Sequence, residues 1–510
     1  MSMGNVTPLR PIRKLIPLIP DSDVSRLIAE AYALAASEPR ILELIDSDRD
    51  AYAISKKRDR LEDQAWLSSR GSLLPGFDDE VDANWATDLE LGSGRPRMPA
   101  ILVLTFILCR GYFGGFKDRK TATNLAESRT LEIVLANLGI NMPGASTIID
   151  NANAVQTATL EFIVDAQIRQ VLFEGLDDFK KLTFDSTKVV ANSTFPTDSG
   201  LIAGLLERAE HMLRLLADHG ITLRLPAITG IAIKTIRDLH KQIQLSCGKK
   251  NGAKKRVKLY RKLMREARKA RKNLLKAYER AEGKFYNLDF MPSERKTVAT
   301  LIEWIDVDLQ NLAVTIVNTD KRINRNEKVP AGEKVVSLSD QDAAMIVKGE
   351  REPVVGYKPQ LGRSENGFVT AIIVPVGNAA DSGQLRPIVD ASITRTGVAP
   401  SVLSFDDGYT NRADREHYLG LGIGVVSFSG SKGKNIIPAA EYDSQPYKDA
   451  RNDRSAVESL IFTLKHNHDM DRVMRRGIDS VRSELLEKAI AYNFFRLITL
   501  RQRRKQRDAA

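Results

Sequence analysis

Residues 182–190 read Leu182-Thr183-Phe184-Asp185-Ser186-Thr187-Lys188-Val189-Val190, a short run of apolar and β-branched residues around one carboxylate. Such residues favour strands, so we predict a short strand with Asp185 in its middle. Residues 402–409 read Val402-Leu403-Ser404-Phe405-Asp406-Asp407-Gly408-Tyr409 and place Asp406 at the end of a second strand. Adjacent strands of a sheet bring together acids that are far apart in sequence. The alternative is that these acids, like Asp407 and Asp198, are simply turn residues.

A third acid lies in a helical pattern further along the chain. Arg454, Glu458 and Lys465 are spaced by four and seven residues, so they share one helix face. The apolar stripe of this helix consists of Val457, Leu460, Ile461 and Leu464. Glu458 stands at the edge of that stripe and is able to face the sheet. The alternative is an exposed Arg–Glu pair, which contributes little to stability.

Three acids of this kind suggest a site that holds two divalent metal ions and cuts or joins phosphodiesters. Two ions roughly 3.5–4 Å apart activate the attacking oxygen and stabilise the leaving oxygen. Mg²⁺ prefers carboxylate and water oxygens. We therefore predict that Asp185, Asp406 and Glu458 converge on one site.

Composition sets the class of protein. A chain of 510 residues, 43% of them hydrophobic, is expected to form about two to four domains. Its net charge of +11 suits a polyanion such as nucleic acid, although a merely basic protein has the same charge. The two cysteines, Cys109 and Cys247, argue against a disulfide framework and fit a reducing compartment. No apolar signal core or membrane-spanning run is present, so we expect a soluble cytoplasmic protein.

Hydrophobic periodicity predicts helices at both ends of the chain and strands between them. The predicted helices cover 23–36, 51–61, 100–110, 119–125, 130–138, about 145–172, a crossover helix at 381–391, and 451–500. The predicted strands cover the segment from 182, then 334–338, 368–376, 401–405 and 423–428. The helices before residue 175 are compatible with either a helix-turn-helix or a plain bundle.

A long helical tract, from about 199 to 311, interrupts the strands and contains the most basic segment of the chain. This segment includes Lys254, Lys255, Arg256, Arg261 and Lys262. One interpretation is a helix that follows the backbone of DNA. The other is a solvated helical hairpin. The imbalance of charge favours DNA by about two to one.

The motifs together resemble the DDE transposases of bacterial insertion sequences. The resemblance rests on Asp185-Ser186-Thr187, Pro196-Thr197-Asp198-Ser199, Asp406-x-Gly408-Tyr409 and Arg454-x3-Glu458-x6-Lys465. It extends to Gly94-Arg95-Pro96, Gly356-Tyr357-Lys358, Asn378-x2-Asp381 and Ala491-Tyr492-Asn493. These matches span roughly residues 94–498 in the order of the family; each alone is weak, and together they are specific.

The resemblance implies an α/β RNase H-like catalytic core, a mixed sheet flanked by helices, with a helical N-terminal region and a long helical insertion. We assign residues 1–93 to the N-terminal region and 94–175 to a helical DNA-binding or dimerisation region. Residues 176–200 and 332–510 form the expected core, and 201–331 the basic insertion. In some relatives the insertion instead precedes the helix of the final Glu, which leaves its role here less defined.

The same resemblance implies the roles of the site residues. Asp185, Asp406 and Glu458 are the expected catalytic, metal-binding acids for two Mg²⁺ or Mn²⁺ ions. Arg454, Lys465 and Arg95 are expected to contact DNA, as is the basic segment. The family often has Tyr three residues before the Arg, where this chain has Arg451; the Tyr contact is either absent or supplied by Tyr447.

Other patterns predict no chemistry. Gly420-x-Gly422-x-Gly424 has the wrong spacing for a dinucleotide fingerprint, and Gly433-Lys434 lacks the rest of a P-loop. His466 and His468 follow Lys465; a metal role is possible, but surface histidines at a helix end are the commoner case.

The sequence therefore predicts a DDE transposase that cleaves transposon-end DNA and joins it to target DNA. We expect it to act as a homodimer or larger assembly on bacterial chromosomal or plasmid DNA, without a membrane partner. Two alternatives remain: a non-catalytic DNA-binding protein, and a related nuclease without strand transfer.

Overall fold

The computed structural model describes residues 23–70, 97–113, 118–138, 141–193, 197–223, 227–248, 252–348 and 352–510. The chain divides into two compact units. The first unit comprises residues 1–52, 93–192 and 345–510, and the second comprises 53–92 and 193–344. Each unit has its own hydrophobic core. The domain boundaries proposed from the sequence stay a prediction.

Seven helices and two strands are described before residue 193. The helices are α1 Asp23–Ser37, α2 Arg40–Ser68, α3 Ala100–Phe113, α4 Asp118–Ala126, α5 Arg129–Leu138, α6 Ala145–Asn153 and α7 Thr157–Phe173. The strands are β1 Lys181–Ser186 and β2 Val189–Val190. The predicted helices at 23–36, 100–110 and 130–138 are confirmed as α1, α3 and α5.

Four long helices follow in the second unit, and strands then alternate with helices in the first. The long helices are α8 Asp198–Leu215, α9 Ala227–Leu245, α10 Gly252–Asn287 and α11 Pro292–Asn324. The strands are β3 Ala344–Ile346, β4 Val354–Tyr357, β5 Gln360–Ser364, β6 Val369–Ile373, β7 Val402–Phe405 and β8 Val425–Phe428. The remaining helices are α12 Leu385–Thr396, α13 Arg412–Gly420, α14 Ser431–Ile436, α15 Ala439–Tyr442, α16 Gln445–Asp453, α17 Ser455–Asn467 and α18 Ile478–Asp508.

The centre of the first unit is a mixed five-stranded sheet in the order β6-β5-β1-β7-β8. β1 pairs antiparallel with β5 and parallel with β7, and β7 pairs parallel with β8. The rings of Phe184 on β1 and Phe405 on β7 stack with centroids 5.0 Å apart. The sheet is flanked by helices, as the sequence predicted, and β1 lies at its middle. A second sheet has the order β2-β4-β3.

The glycine at position 362 on β5 is required by close packing. A Cβ atom there would lie 2.6 Å from Thr370 Oγ1, 2.7 Å from Ser392 Oγ and 3.0 Å from the Phe184 ring. Neighbours this close would have to move. Gly362 therefore allows β5 to sit between β1, β6 and the helix α12.

Several parts of the predicted element map differ from the structure. The single helix predicted over about 145–172 is wrong, because the chain turns between α6 Ala145–Asn153 and α7 Thr157–Phe173. Residues 334–338 were predicted as a strand, which is wrong: the Ser337 hydroxyl accepts hydrogen bonds from the backbone N–H groups of Ser339 (3.2 Å) and Asp340 (3.0 Å). Such side-chain to backbone bonds favour a turn, and β3 begins only at Ala344. The crossover helix begins at Leu385, after a short 3-10 helix at Asp381–Gly383.

The helical tract predicted over 451–500 is interrupted between α17 and α18. Asp469 has a positive φ of 48°, which a continuous helix does not tolerate. The ammonium of Lys488, on α18, donates to the carbonyls of Asp469 (2.9 Å) and Arg472 (3.0 Å). A buried lysine thus holds the start of the interruption, and Gly477, with a positive φ of 81°, ends it directly before α18.

The helices α3 and α18 of the first unit are joined by a buried ion pair. Arg110 donates to both carboxylate oxygens of Glu487 at 2.8 and 2.7 Å, and Arg475 donates to the same carboxylate at 2.8 Å. Burial alone would raise the pKa of Glu487, but the two guanidinium groups outweigh it and the pKa is lowered. Within the described residues, no helix combines the length and apolarity needed to cross a bilayer.

The second unit is a bundle built from α8 to α11. The inner stripe of α10 includes Leu263, Ala267, Ala270 and Leu274, all fully buried. Its lysines at 254, 255 and 262 are exposed. The helix is therefore amphipathic, with an apolar side in the bundle and a basic side towards solvent.

Candidate active site

A single open cleft in the first unit, of about 960 Å³, collects the acids that the sequence singled out. Asp185, Asp406 and Glu458 all line it, and so does Lys465. The further lining residues are Ser186, Thr187, Lys188, Val347, Lys348, Lys358, Asp381, Ile461, Phe462 and His466. Asp185, Asp406 and Glu458 come from β1, the end of β7 and α17. More than half of the sequence separates the first acid from the last, and the fold brings them to one cleft.

Asp185 is the most deeply placed of the three acids. It lies on the central strand β1 with a side chain only 9% exposed. Burial is the main cause of its raised pKa, and the nearby Asp406 carboxylate raises it further, whereas Lys348 opposes both. The Lys348 ammonium lies 2.7 Å from Asp185 Oδ1 and also donates to the Ser186 carbonyl. The Lys348 ammonium thus lies beside Asp185, the carboxylate whose ionised form burial disfavours.

Arg454 lies between the other two acids. Its guanidinium donates to Glu458 Oε1 at 2.7 Å and lies 3.8 Å from Asp406 Oδ1. Asp406 follows β7 directly, and its Oδ1 also accepts a hydrogen bond of 3.2 Å from the Ser429 hydroxyl, which follows β8. Glu458 is 58% exposed, so this carboxylate faces the open side of the cleft and does not pack against the sheet.

The neighbouring Asp407 makes a structural hydrogen bond and does not line the cleft. Its Oδ1 accepts a hydrogen bond of 3.0 Å from the backbone N–H of Gly433. This bond ties the end of β7 to the start of α14. Of the two adjacent acids, only Asp406 lines the cleft.

A fourth acid, Asp381, lies in the cleft within a buried polar network. The Lys358 ammonium lies 2.9 Å from Asp381 Oδ1, and the Gln360 amide donates to the same oxygen at 3.3 Å. The Tyr409 hydroxyl donates to Gln360 Oε1. Burial raises the pKa of Tyr409 well above its ordinary value, so the phenol stays protonated and acts as a donor. The network joins the end of β4, β5 and the turn after β7.

Lys465 connects the helix α17 to the segment between β1 and β2. Its ammonium donates to the Lys188 carbonyl at 2.9 Å. Lys188, Lys348 and Lys358 also line the cleft. The site therefore combines carboxylates with several ammonium groups, an arrangement suited to a substrate that carries phosphates.

Sequence reasoning missed Lys348, Lys358 and Asp381. The last two lie in Gly356-Tyr357-Lys358 and Asn378-x2-Asp381, motifs that had been noted without a role, so a signal for them existed. Lys348 stands in no recognisable motif.

The structure also shows that Tyr447 and His468 are buried and have structural contacts. Tyr447 is buried, and its hydroxyl exchanges hydrogen bonds with the backbone N–H (2.8 Å) and carbonyl (3.1 Å) of Phe428. It therefore supports β8 and does not line the cleft. The expectation of two surface histidines is wrong for His468, which is 3% exposed and has a pKa lowered to about 4, first by burial and then by Lys488. His466 is exposed and lines the cleft.

The predicted basic segment lies in the second unit. Lys254, Lys255, Arg261 and Lys262 are exposed on α10, and Arg261 also donates to the Asn324 side chain at 2.9 Å. Arg256 is half-buried and donates to the Ser246 carbonyl at 3.1 Å. Arg95 falls outside the described residues.

The donor set fits a hard divalent cation by its chemistry, since carboxylates are the ligands that Mg²⁺ and Mn²⁺ prefer. Among the described residues, no three His, Cys, Asp or Glu side chains are grouped closely enough to hold an ion together. Instead, Lys348 neutralises Asp185, and Arg454 bridges Asp406 and Glu458. The side chains of Lys348 and Arg454 therefore supply positive charge beside the three carboxylates.

Comparison with known proteins gives one match. Residues 344–494 match the family described as "Transposase DDE domain". The matched segment contains Asp406 and Glu458, whereas Asp185 precedes it on β1. The chain therefore carries a transposase DDE domain, which confirms the resemblance seen in the sequence motifs. Neither the curated proteins nor the solved structures gave a match.

Proposed function

We propose that the protein is a DDE transposase that cleaves DNA at transposon ends and transfers the freed strands to target DNA. The observation that carries the proposal is the convergence of Asp185, Asp406 and Glu458 on one lysine-lined cleft. The family match supports a transposase-type function. The mixed sheet with its flanking helices is consistent with an RNase H-like core, the fold that this family implies.

In this proposal the three carboxylates hold two Mg²⁺ or Mn²⁺ ions. When bound, the ions supply an activated oxygen nucleophile and stabilise the leaving oxygen. Asp185, on the rigid central strand, fixes the inner side of the site. Asp406 is oriented by Ser429. Glu458, on the exposed edge, closes the site from α17.

The basic residues have two roles in the proposal. Arg454 and Lys465 bind phosphates next to the reacting bond, since both are already held in or beside the cleft. The exposed Lys254, Lys255, Arg261 and Lys262 on α10, with Arg256 and Arg95, bind the backbone of transposon-end DNA further away. We propose that the protein works as a homodimer or larger assembly on paired ends, in the cytoplasm of a bacterium.

The decisive experiment is a cleavage and joining assay on DNA that carries the element's own ends, with Mg²⁺ or Mn²⁺. Wild type is compared with Glu458→Gln, and with Glu132→Gln as a matched control, since Glu132 is a 65% exposed acid on α5 outside the cleft. Metal-dependent nicking and joining by wild type and the control, but not by Glu458→Gln, is the expected result.

Two other results would replace the proposal. Nicking without joined product would indicate a nuclease without strand transfer. DNA binding without any metal-dependent strand breakage in all three proteins would indicate a non-catalytic DNA-binding protein.

A further inference from the structure

The last helix of the second unit, α11, has apolar residues on two sides. Its inner side, which includes Ile305 and Leu312, packs in the core of the bundle. On its outer side Trp304, Val314 and Val317 are 54%, 43% and 53% exposed. In the described part of the second unit, no other helix presents three large apolar side chains to solvent. Single exposed apolar residues are ordinary, but several on one face mark an interaction surface.

The outer side of α11 also has a regular pattern. Its residues are spaced alternately by four and three positions, which is the spacing of a seam between two packed helices. We call these residues the α11 seam: Glu303, Val307, Gln310, Val314, Val317 and Lys321. Val307 and Lys321 are half-buried and the other four are exposed. The pattern therefore fits the side of one further helix.

The charge of the α11 seam argues for a protein partner. The seam contains one acid and one base, Glu303 and Lys321, and is neutral. A surface that follows the backbone of DNA needs an excess of positive charge, and in this unit the exposed lysines of α10 supply that excess. An apolar, neutral seam instead suits another amphipathic helix.

The order of the seam residues identifies that helix as α11 of a second copy. When α11 is placed antiparallel to itself about position 312, acid faces base and valine faces valine across the contact. The opposed pairs are Glu303 with Lys321, Val307 with Val317, and Gln310 with Val314. Each pair occurs twice, as a two-fold interface requires. Within its own chain Lys321 lies 3.9 Å from Glu333, a long ion pair near the surface that leaves the ammonium close to the seam.

We propose that the α11 seam is a two-fold contact between two copies of this chain, formed by an antiparallel pair of α11 helices. The proposal goes beyond the proposed function, because this contact requires neither DNA nor metal nor an intact cleft. A typical stable interface buries about 800 Å² of each partner, which is more than one helix seam supplies. The contact alone therefore gives a weak dimer, which forms at micromolar or higher protein concentrations.

The test is sedimentation velocity of the full-length protein over a range of concentrations, without DNA or metal. The samples are wild type, Val307→Glu, Val317→Lys, and an equimolar mixture of these two variants. Each variant alone should self-associate at least about tenfold more weakly than wild type, because it places an unpaired charge against a valine. The mixture should associate again, because the new carboxylate of one variant then faces the new ammonium of the other. A misfolded variant would not be rescued by mixing.

The matched controls are Leu245→Glu and Ile231→Lys on α9. Both residues are 68% exposed apolar side chains of the same unit outside the α11 seam. Each control should self-associate as wild type does, and mixing the two should change nothing. Glu458→Gln should also associate as wild type, so a failed cleavage assay would leave this proposal standing.

Four results would overturn the proposal. Wild type that stays monomeric up to on the order of 0.1 mM would show that the seam does not join copies. Wild-type association of Val307→Glu and Val317→Lys would place the contact between copies elsewhere. Weakened association that mixing does not restore would exclude the antiparallel pairing of α11. Unchanged association with a loss of DNA binding in Val307→Glu would assign the seam to nucleic acid.

Discussion

The ammonium of Lys348 lies 2.7 Å from Oδ1 of Asp185, the most buried acid of the cleft. The side chains are 29% and 9% exposed, so water screens this ion pair only in part. Burial would otherwise disfavour an ionised Asp185. Lys348 thus supplies positive charge beside the carboxylate in the absence of a divalent ion, and a bound ion would compete with it.

Replacement of Lys348 by Met should therefore make the protein more dependent on metal. Without a divalent ion, Asp185 loses its partner and stability should fall by on the order of 1 kcal/mol, as for a partly exposed ion pair. With Mn²⁺, the ion meets no competing ammonium and should bind more tightly, by about fivefold for the same energy. The measurement is the increase in Tm produced by Mn²⁺, which should be larger in Lys348→Met than in wild type.

The control for this experiment is Lys181→Met. Lys181 lies on the same strand as Asp185 and pairs with Glu365, but both side chains are more than 40% exposed and neither lines the cleft. Its Mn²⁺-induced shift should equal that of wild type. An equal shift in Lys348→Met as well would show that Lys348 and the ion do not compete.

The buried pair between Arg110 and Glu487 should be a main support of the first unit. Replacing Arg110 leaves the buried Glu487 carboxylate with Arg475 as its remaining guanidinium partner, so Arg110→Met should lower the free energy of unfolding by up to about 3 kcal/mol, the lower end of the range for a broken buried pair. The double variant Arg110→Met with Glu487→Leu should lose less than Arg110→Met alone, because the buried carboxylate is gone and the Arg475 side chain, which is 23% exposed, reaches solvent. Urea unfolding measures both values, and a double variant that is less stable than Arg110→Met would contradict this account.

His468 should make stability depend on pH. Because its pKa in the folded protein is lowered to about 4, the folded protein holds the ring neutral where the unfolded chain, with an ordinary pKa near 6.5, binds a proton. This contribution is fully favourable above about pH 6.5 and is lost as the pH falls towards 4, up to about 3 kcal/mol in all.

His468→Gln should remove part of that dependence. The variant should lose less stability than wild type between pH 6.5 and pH 4, whatever its stability at neutral pH. His417→Gln is the control for loss of an imidazole, because His417 is exposed on α13; an equal change in both variants would show that the effect is not specific to the buried ring. Unfolding in urea across this pH range gives the comparison, and parallel profiles for His468→Gln and wild type would exclude His468 as the cause.

The exposed lysines of α10 should set the salt dependence of DNA binding. Each phosphate contact that is lost lowers the slope of log K against log salt by about 0.9. The double variant Lys255→Ala, Lys262→Ala should therefore reduce the slope by up to about two. Lys234→Ala, Lys241→Ala on α9 is a matched control with two exposed lysines of the same unit; an equal change in both double variants would indicate a general effect of net charge.

The parts of the fold with strong local patterns were predictable. β1, β6, β7 and β8 have apolar or β-branched runs, and the acids at 185 and 406 stood visibly within or after them. β5 was missed although it is buried beside β1. Its sequence, Gln360-Leu361-Gly362-Arg363-Ser364, is mostly polar or small, and its polar groups are satisfied by neighbours that only the folded chain provides.

The candidate site was predictable only where a residue had a motif. The three acids, Arg454 and Lys465 fall within spaced patterns, whereas Lys348 reaches Asp185 from the segment just after β3, remote in sequence. The exposure of Glu458 and the burial of His468 depend on how α17 is rotated on the sheet, which periodicity alone does not fix. Contacts of this kind arise from packing between segments that are distant in sequence. Local sequence patterns therefore do not predict them.

The discontinuous course of the first unit has a consequence for its synthesis. A ribosome delivers β1 and then all of residues 193–344 before β5 and β7, the strands that flank β1, emerge. At ordinary ribosomal elongation speeds this takes on the order of ten seconds or more, during which the central strand has neither neighbour. The helical bundle is able to fold in this interval, since its core lies within residues 202–316. The acid of β1 meets Asp406, which follows β7, and the acid of α17 only when nearly the whole chain has been made, so an unfinished polypeptide carries no assembled cleft.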